Sequence, residues 1–578
     1  MARSPLAMAP RESLGSPVPH PARRWGLLLV AGWIAQAALR AWLSRAQVVP
    51  LASPDESAYL IAARVLAGGQ PANFSYSTLY PAGYPLLITP VFWFTSNPVT
   101  AYHAVLMINA PISAALMPLA YLACRRLRLD RPAAYGVAAV AALLPAGFFY
   151  SEYAMTDAIY PVLVLGWLLT VHTWLTAASS RARYAAAAGS ALLTGYAYAV
   201  HSRGLVILLG YVVTVAFVAI RRLVPRGTAA AAARVQCLPV AGGGLLNRHL
   251  AAVMYPEGAR SLSGEAVTRL GSVHGAIFVA EMAAGQLWRF TLDGWGVAAI
   301  GLVAALAAIV RRDVRIEDKV VAALAAGVTL AIGCTAPAAL PYDQGQAWAS
   351  GRYLDCMVVA FFLPGAAVLL RASRRRIAAY AALIVPPTLL AAFTVNAYAG
   401  TSVSTAGFGG GFSFAEPAVL TQGWAQANVL LATGVALALL AVWVLAVRLP
   451  GIGRWVVLAG LGAVSLVAVV QLTSHVSQGS TPAQEANATG LVRPGQQLAV
   501  GTGVSWASWM PQAYEIWWTQ LQFFIPATQP PPADAAVVEV AWPAGQAAGA
   551  SWPDAPAGWR IAACDQAAGW VAWRDGRR

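Results

Sequence analysis

Two adjacent carboxylates stand just after the first strongly apolar segment of the chain, in the stretch SPDESAYLIAARVLAGG, residues 53–69. An apolar helix that ends here delivers Asp55 and Glu56 to one face of a membrane. Charge so close to a bilayer is costly, so paired acids at such a boundary are leading candidates for a functional site. A carboxylate in this place can take the proton from an attacking hydroxyl group.

A capping box is the structural interpretation of the same residues. Ser53 would cap the helix, Pro54 would take its first position, and Glu56 would reach back to the amide of the cap. This arrangement explains Asp55 only in part, as an acid that the helix dipole favours. Asp55 is therefore the stronger candidate for chemistry, with Glu56 as its neighbour in the acidic pair.

A second acidic motif is SEYAMTDAIYP, residues 151–161. Thr156 can cap the next apolar helix with Asp157 in its first turn, which would explain Asp157 by the helix dipole, and Glu152 could be a solvated acid. Two acidic motifs on one membrane face favour a functional interpretation, because paired acids can hold a divalent cation. Oxygen ligands suit Mg²⁺, Mn²⁺ or Ca²⁺, so Asp157 and Glu152 are the predicted metal ligands.

Three arginines are predicted on the same outer face, against the usual bias of basic residues towards the inner face. Arg352 lies in GRYLD at the start of an apolar segment, and Arg203 and Arg248 follow other apolar segments. A cation there can hold a phosphate at the headgroup level, with Tyr353 in the interfacial aromatic belt. An arginine that snorkels to the interface explains Arg352 alone about equally well. His201 fits a packed or capping histidine better than a base.

Composition places these motifs in a membrane protein. Of 578 residues, 58% are hydrophobic and 11% are charged, whereas soluble domains carry roughly 25% charged residues. With many long apolar runs, this indicates a polytopic helical membrane protein. The net charge of +15 would suggest nucleic-acid binding in a soluble protein, but most arginine clusters stand in short loops that set topology. The five cysteines show no zinc-binding spacing.

Apolar length and arginine placement predict about thirteen transmembrane helices, with the N-terminus inside and the C-terminus outside. Residues 1–24 form a disordered inner tail, and residues 25–471 form the membrane domain. In its first outer loop, 44–100, the segment 80–94 is interfacial or re-entrant. Residues 472–578 form a small outer domain, α/β or mostly β, whose tryptophans could stack on sugars, pack in a core or form an interfacial aromatic belt. The predicted spans are 25–43, 101–123, 133–149, 159–178, 184–200, 204–220, 228–247, 287–310, 320–337, 353–370, 377–395, 427–447 and 455–471.

The order of the motifs resembles the GT-C superfamily of polyprenyl-phosphate-sugar-dependent glycosyltransferases. It is similar to bacterial aminoarabinose transferases and protein O-mannosyltransferases in PDESAYLIAARVLAGG, then YPAGYPLL, then YSEYAMTD, then an outer GRYL. The resemblance extends over residues 25–370, and its first motif is the most specific. It implies an all-α GT-C-type membrane fold. It also implies that a sugar moves from a polyprenyl-phosphate donor to an envelope glycan, lipid or protein on the outer face.

The resemblance also implies roles for individual residues. Asp55 would act as general base or orient the acceptor hydroxyl, with Glu56 beside it, and Asp157 and Glu152 would serve a metal and the donor phosphate. The late motif would contact that phosphate, although it has Gly351 where many relatives carry an acid. The predicted phosphate-binding residues are Arg352, Tyr353, Arg203 and Arg248, and the predicted pocket residues are Tyr59, Tyr80, Tyr84 and His201.

Other classes of protein fit the sequence less well. A transporter or flippase of lipid-linked sugars would place ionisable groups in mid-membrane on broken helices within repeated halves, whereas these acids cluster at outer boundaries. A polysaccharide polymerase or ligase would need no acidic pair after the first span. A purely structural membrane protein would leave the acids and outer arginines unexplained. The sequence has no glycine-rich phosphate loop, so it gives no indication of nucleotide use. Arabinose and mannose are equally plausible as the sugar of the donor.

Overall fold

The protein is a helical bundle followed by a small sheet domain, which confirms the predicted fold class. The predicted cap Ser53 and residues 1–20 of the predicted tail lie outside the described residues. The computed structural model describes residues 21–52, 54–339, 349–399, 402–404, 410–477, 490–493, 496–516, 521–566 and 568–577.

The first twelve helices carry both acidic motifs at their ends or in their connections. Side-chain caps define some helix starts: Asn97 accepts a hydrogen bond from the amide of Thr100, and Ser179 accepts one from the amide of Ala182. The helices are α1 (Pro21–Leu43), α2 (Asp55–Leu66), α3 (Gly83–Ile88), α4 (Val91–Phe94), α5 (Pro98–Ala114), α6 (Leu116–Arg126), α7 (Arg131–Leu143), α8 (Pro145–Phe148), α9 (Tyr160–Thr176), α10 (Ser180–Val200), α11 (Gly204–Ile220) and α12 (Arg226–Met254).

The remaining helices include a sharp bend and a late turn that matter for the site. The axes of α14 and α15 differ by 114° across a short break, and a 3-10 turn over Gly351–Tyr353 precedes α17. These helices are α13 (Leu262–Leu270), α14 (Val273–Asp293), α15 (Val297–Val310), α16 (Ile316–Ala338), α17 (Asp355–Arg371), α18 (Arg374–Ala399), α19 (Gly410–Ser413), α20 (Ala415–Thr421), α21 (Val429–Ala446), α22 (Gly453–Leu472) and α23 (Trp506–Glu515).

Every predicted span coincides with at least one helix. Within the described part of the chain, seven helices are long and apolar enough to cross a membrane, or up to nine if each of two bent pairs is one span. The chain is thus a multi-pass membrane protein, while about thirteen crossings and the sides of the termini stay predictions. Segment 80–94 forms the two short helices α3 and α4.

The C-terminal domain is a mixed sheet with a helical crossover, so it is α/β rather than mostly β. Its strands are ordered β4-β3-β5-β7-β6, with β3 parallel to β4 and β5, and β7 antiparallel to β5 and β6. Parallel neighbours need a crossover, which α23 supplies between β3 and β4. The strands are β1 (Ser402–Ser404) and β2 (Gln426–Asn428), which form a separate antiparallel pair, and β3 (Gln497–Gly501), β4 (Gln522–Phe524), β5 (Ala535–Ala541), β6 (Trp559–Asp565) and β7 (Trp570–Asp575).

Three tryptophans of this domain pack in its core. Trp552 makes edge-on ring contacts with Trp559 at 5.6 Å, with Trp573 at 5.9 Å and with Phe524 at 6.0 Å between centroids. All four side chains are buried. These tryptophans therefore stabilise the domain as aromatic pairs do in other cores, and they are not surface platforms for a sugar.

The C-terminal domain is joined to helix α2, which carries the first acidic motif. Arg64 of α2 is buried, and its guanidinium donates to the carbonyl oxygens of Ala513 and Tyr514, both at 3.1 Å, and of Gln70 at 2.9 Å. The first two acceptors lie in the last turn of α23, where the helix dipole favours a cation. Tyr514 also donates to the carbonyl of Pro98 at 2.8 Å, so the domain contacts the predicted first outer loop at two points.

We expect Arg64→Met to loosen this connection. The variant leaves three carbonyl acceptors without this donor, and an unsatisfied buried acceptor costs about 1–3 kcal/mol. Thermal unfolding in detergent should therefore start at a lower temperature, and protease should release the C-terminal domain sooner. Arg312→Met is the control, because Arg312 is exposed in the turn that follows α15. Equal protease resistance in both variants would contradict the docking role of Arg64.

The stability of the C-terminal domain should fall with rising pH because of Glu539. This carboxyl group is buried in β5 with Gln512 donating to it at 3.1 Å, and burial raises its pKa to about 8. The folded protein then keeps a proton that an unfolded glutamate releases near pH ~4.3, so stability decreases between those two values. Melting temperatures of wild type and Glu539→Gln from pH 5 to 9 test this. The wild type should show the steeper decline, and parallel curves would refute it.

Candidate active site

Asp55 is presented by the first turn of α2 and is held by two partners. The Nη2 atom of Arg352 lies 2.5 Å from Asp55 Oδ2, and the hydroxyl of Tyr80 donates to Asp55 Oδ1 at 2.8 Å. The side chains of Asp55 and Arg352 are 17% and 15% exposed, whereas Arg203 and Asp157 are each 5% exposed. The ion pair of Asp55 and Arg352 is therefore the part of the network that a ligand can reach.

Asp157 lies in a 3-10 turn, Thr156–Ala158, just before α9. Its Oδ1 atom is 2.5 Å from Arg203 Nη2, and its Oδ2 atom is 3.2 Å from Arg352 Nε. The guanidinium of Arg352 thus lies between Asp55 and Asp157. One cation joins the two acidic motifs and the late motif, which are far apart in the sequence.

Arg203 fixes the backbone of the late motif. Its Nη1 atom donates to the carbonyl oxygens of Arg352 at 2.8 Å and of Tyr353 at 3.2 Å. His201 Nδ1 accepts from the backbone amide of Arg203 at 3.1 Å and from its Nε at 3.3 Å. Burial and the charge of Arg203 hold the pKa of His201 well below its usual range. His201 is therefore neutral and orients Arg203.

The network pairs two guanidinium groups with two carboxylates. Burial opposes ionisation of Asp157, but Arg203 and Arg352 outweigh it and hold the pKa of that carboxyl well below its usual range. Burial likewise opposes the charge of Arg352, yet Asp55 and Asp157 raise its pKa well above the usual value. The opposite charges stabilise each other, as expected for a paired and largely desolvated group.

Three predicted tyrosines form a cluster beside the acids, but only one touches Asp55. The ring of Tyr59 lies edge-on to Tyr80 at 5.2 Å and to Tyr84 at 5.6 Å between centroids. Tyr59 Oη is 3.5 Å from Thr156 Oγ1. Tyr84 donates instead to Asn109 at 3.1 Å. Tyr80 thus belongs to the site. Tyr59 packs against Tyr80, and Tyr84 packs against Tyr59.

Glu56 has a structural role, contrary to its prediction as a catalytic residue. It is completely buried. Its Oε2 atom accepts from the amides of Leu51 and Ala52, each at 2.7 Å, and its Oε1 atom accepts from Tyr102 Oη at 2.8 Å and from the amide of Ala154 at 2.6 Å. Four donors saturate this carboxylate. Glu56 therefore ties the loop before α2 to the second acidic motif.

Glu152 is also buried, which excludes the alternative interpretation of this residue as a solvated acid. Thr473 donates to its Oε1 atom at 2.7 Å, and Gln47 donates to its Oε2 atom at 3.3 Å. Arg248, predicted at the phosphate, is exposed on α12, and the site residues described above make no contact with it. Burial and exposure depend on long-range packing, so neither outcome could be inferred from a local motif.

The predicted ligands Asp157 and Glu152 do not form a site for a divalent cation. Both oxygens of Asp157 contact guanidinium groups, while Glu152 has other partners. In the described part of the chain, no group of three or more His, Cys, Asp and Glu side chains is arranged to hold a metal ion. Arg352 supplies the positive charge between Asp55 and Asp157, so the residues present do not fit Mg²⁺, Mn²⁺ or Ca²⁺.

Two aromatic rings beneath the arginines were not predicted. The guanidinium carbon of Arg352 lies 5.4 Å from the ring centroid of Phe412, and that of Arg203 lies 5.1 Å from the ring centroid of Tyr160. Such contacts orient a guanidinium and stabilise its charge. Tyr160 lies three residues after Asp157, so its position near the site could have been predicted from the second acidic motif. No local sequence pattern connects Phe412 with Arg352.

Solved structures share this architecture. ArnT from Cupriavidus metallidurans bound to undecaprenyl phosphate is 14% identical, with a TM-score of 0.56 over 96% of this chain and 98% of that chain. The chain has a GT-C fold. The same ArnT in the apo state is 16% identical, with a TM-score of 0.55 over the same shares of both chains. No protein-family model and no curated protein matches the chain.

The two neighbouring acids should differ in their effect on stability. Glu56→Gln places an amide NH2 among donors that need an acceptor, and an unsatisfied buried group costs about 1–3 kcal/mol. Asp55→Asn changes a partly exposed ion pair and should lower the melting temperature less. Thermal unfolding of the purified variants in detergent compares them. A larger loss for Asp55→Asn would mean that Glu56 is not the structural acid of the pair.

Proposed function

We propose that this GT-C-fold protein transfers a sugar from a polyprenyl-phosphate donor to a hydroxyl group of an envelope glycan, lipid or protein on the outer membrane face. The observation that carries the proposal is the position of Arg352 between Asp55 and Asp157. It places a reachable cation beside a reachable carboxylate. The fold shared with ArnT, which was solved with undecaprenyl phosphate, supports a lipid phosphate as the ligand.

Arg352 is the group that would bind the donor phosphate. Guanidinium pairs well with phosphate through charge-assisted hydrogen bonds. Asp55 already occupies Nη2 of Arg352, whereas the deeper Asp157 occupies Nε. An incoming phosphate would therefore displace the more exposed Asp55 and leave Asp157 and Arg203 to hold Arg352 in place.

Asp55 would then act as the base. Once its Oδ2 atom leaves Arg352, the carboxylate keeps the hydrogen bond from Tyr80 and has a free oxygen for the acceptor. Asp55 takes the proton of the acceptor hydroxyl, and the acceptor oxygen attacks the anomeric carbon of the sugar. The bond from that carbon to the phosphate oxygen breaks, and polyprenyl phosphate leaves with its negative charge balanced by Arg352.

This exchange of partners gives a reason for donor binding to come first. In the absence of phosphate, Arg352 occupies Asp55 Oδ2 in an ion pair, so this atom is not available to an acceptor hydroxyl. Phosphate binding releases the base at the moment when the sugar is in place. Water is then less readily activated in the empty site, and no step needs a metal ion because Arg352 and Arg203 provide the positive charge.

The test is sugar transfer in membranes that contain wild type, Asp55→Asn or the control Arg312→Lys. Labelled arabinosyl and mannosyl polyprenyl phosphates are supplied in parallel. Loss of a general base lowers the rate roughly 10²- to 10⁴-fold, so Asp55→Asn should lose nearly all transfer at normal expression, while the control transfers like wild type.

Each other outcome contradicts part of the proposal. Transfer that persists in Asp55→Asn would show that Asp55 is a helix-capping acid rather than the base. Absence of transfer by the wild type with every donor, together with movement of labelled lipid across the membrane, would favour a transporter or flippase. Growth of a long polymer by both forms would favour a polymerase or ligase.

A further inference from the structure

A second buried ion cluster lies next to the site, and the reaction outlined above does not use it. Arg289, near the end of α14, has its Nη2 atom 3.0 Å from Asp293 Oδ1 and 2.7 Å from Glu416 Oε2. The side chains of these residues are 0% to 1% exposed. Asp355, in the first turn of α17, is also buried and interacts electrostatically with Glu416 and Arg289. Elements from three parts of the chain meet at this one guanidinium.

The cluster holds Arg289 firmly in place. Three carboxyl groups surround one cation, and removal of that cation would leave several buried acids without compensation, which is strongly destabilising. Arg289 Nε and Nη1 make no hydrogen bond among the described residues, so its position is set by Asp293 and Glu416. The guanidinium group of Arg289 is thus fixed in position and presents a flat face to its neighbours.

Gly351 packs directly against the guanidinium group of Arg289. A Cβ atom at Gly351 would lie 2.3 Å from Arg289 Nη2, 2.9 Å from its Nε and 3.0 Å from its Cζ. Such approaches are closer than packed atoms allow, so only a residue without a side chain fits here. This contact explains why the late motif has glycine at position 351, directly before Arg352.

We infer that Arg289 is a positioning residue that holds the Gly351–Tyr353 turn from below and thereby aims Arg352 at Asp55 and Asp157. The inference rests on the proposed function for its role in transfer. Arg203 binds the same turn through the carbonyls of Arg352 and Tyr353. Two arginines therefore contact the turn, and both contribute to the position of the guanidinium that would bind phosphate.

Two substitutions approach the contact from its two sides. Arg289→Lys keeps the charge but removes the flat guanidinium beneath the turn, and Gly351→Ala pushes the turn away from Arg289. A displacement of about 1 Å at a reacting group costs on the order of 100-fold in rate. We expect the KM for the donor to rise roughly tenfold or more, with a smaller change in the KM for the acceptor.

A matched control separates positioning from general stability. Arg40→Lys changes another buried arginine, which donates to Ser113 at 3.2 Å and to the carbonyl of Ala142 at 2.7 Å, far along the chain from the late motif. It should lower the melting temperature without changing the donor KM of the folded fraction. Effects of Arg289→Lys and Gly351→Ala on donor KM should be non-additive in the double variant, because both act on one contact.

The decisive measurement is donor and acceptor KM for wild type, the two single variants, the double variant and the control. If the wild type transfers sugar and both single variants keep its donor KM and kcat, the inference is wrong. If the wild type transfers nothing, the proposed function fails, and a cryo-EM structure of Gly351→Ala then decides this inference alone. Arg352 displaced from Asp55 and Asp157 would support it, and an unmoved Arg352 would overturn it.

Discussion

The guanidinium of Arg352, held between Asp55 and Asp157, is the contact on which the site depends. Two carboxylates at the ends of different helices would repel each other across a poorly solvated space, and a cation between them turns that repulsion into attraction. The same geometry leaves one ion pair partly open and one closed. A phosphate that binds Arg352 could therefore displace Asp55 while Asp157 remains paired with Arg352.

Other buried acids hold the frame around this network. Glu56 and Glu152 stand beside the reactive positions in sequence, yet Glu56 is saturated by four donors and Glu152 accepts from Thr473 and Gln47. A buried carboxylate without such donors would be too costly to keep. Within the acidic pair, Asp55 thus faces the site, whereas Glu56 stabilises the loops around it.

Arginines fix the site to the rest of the protein. Arg64 connects α2 to the C-terminal domain, Arg203 binds the carbonyls of the late motif, and Arg289 lies under Gly351. A guanidinium has five donors in a fixed plane, so it can bind several carbonyls or carboxylates at once. The C-terminal domain thereby contributes to the site through α2, although none of its own side chains touches Asp55 among the described contacts.

The membrane class, the helical segments and the motifs that meet at the site could all be predicted from the amino-acid sequence. Long apolar runs and the placement of arginines show whether each segment prefers the bilayer or water, and this preference depends only on the local sequence. Asp55, Asp157, Arg203 and Arg352 were found because charge at a membrane boundary is conspicuous. The four donors to Glu56 and the bridge that Arg352 forms between two acids became visible only in the folded protein. Those outcomes depend on which distant groups arrive within hydrogen-bond reach, and no local spacing encodes that.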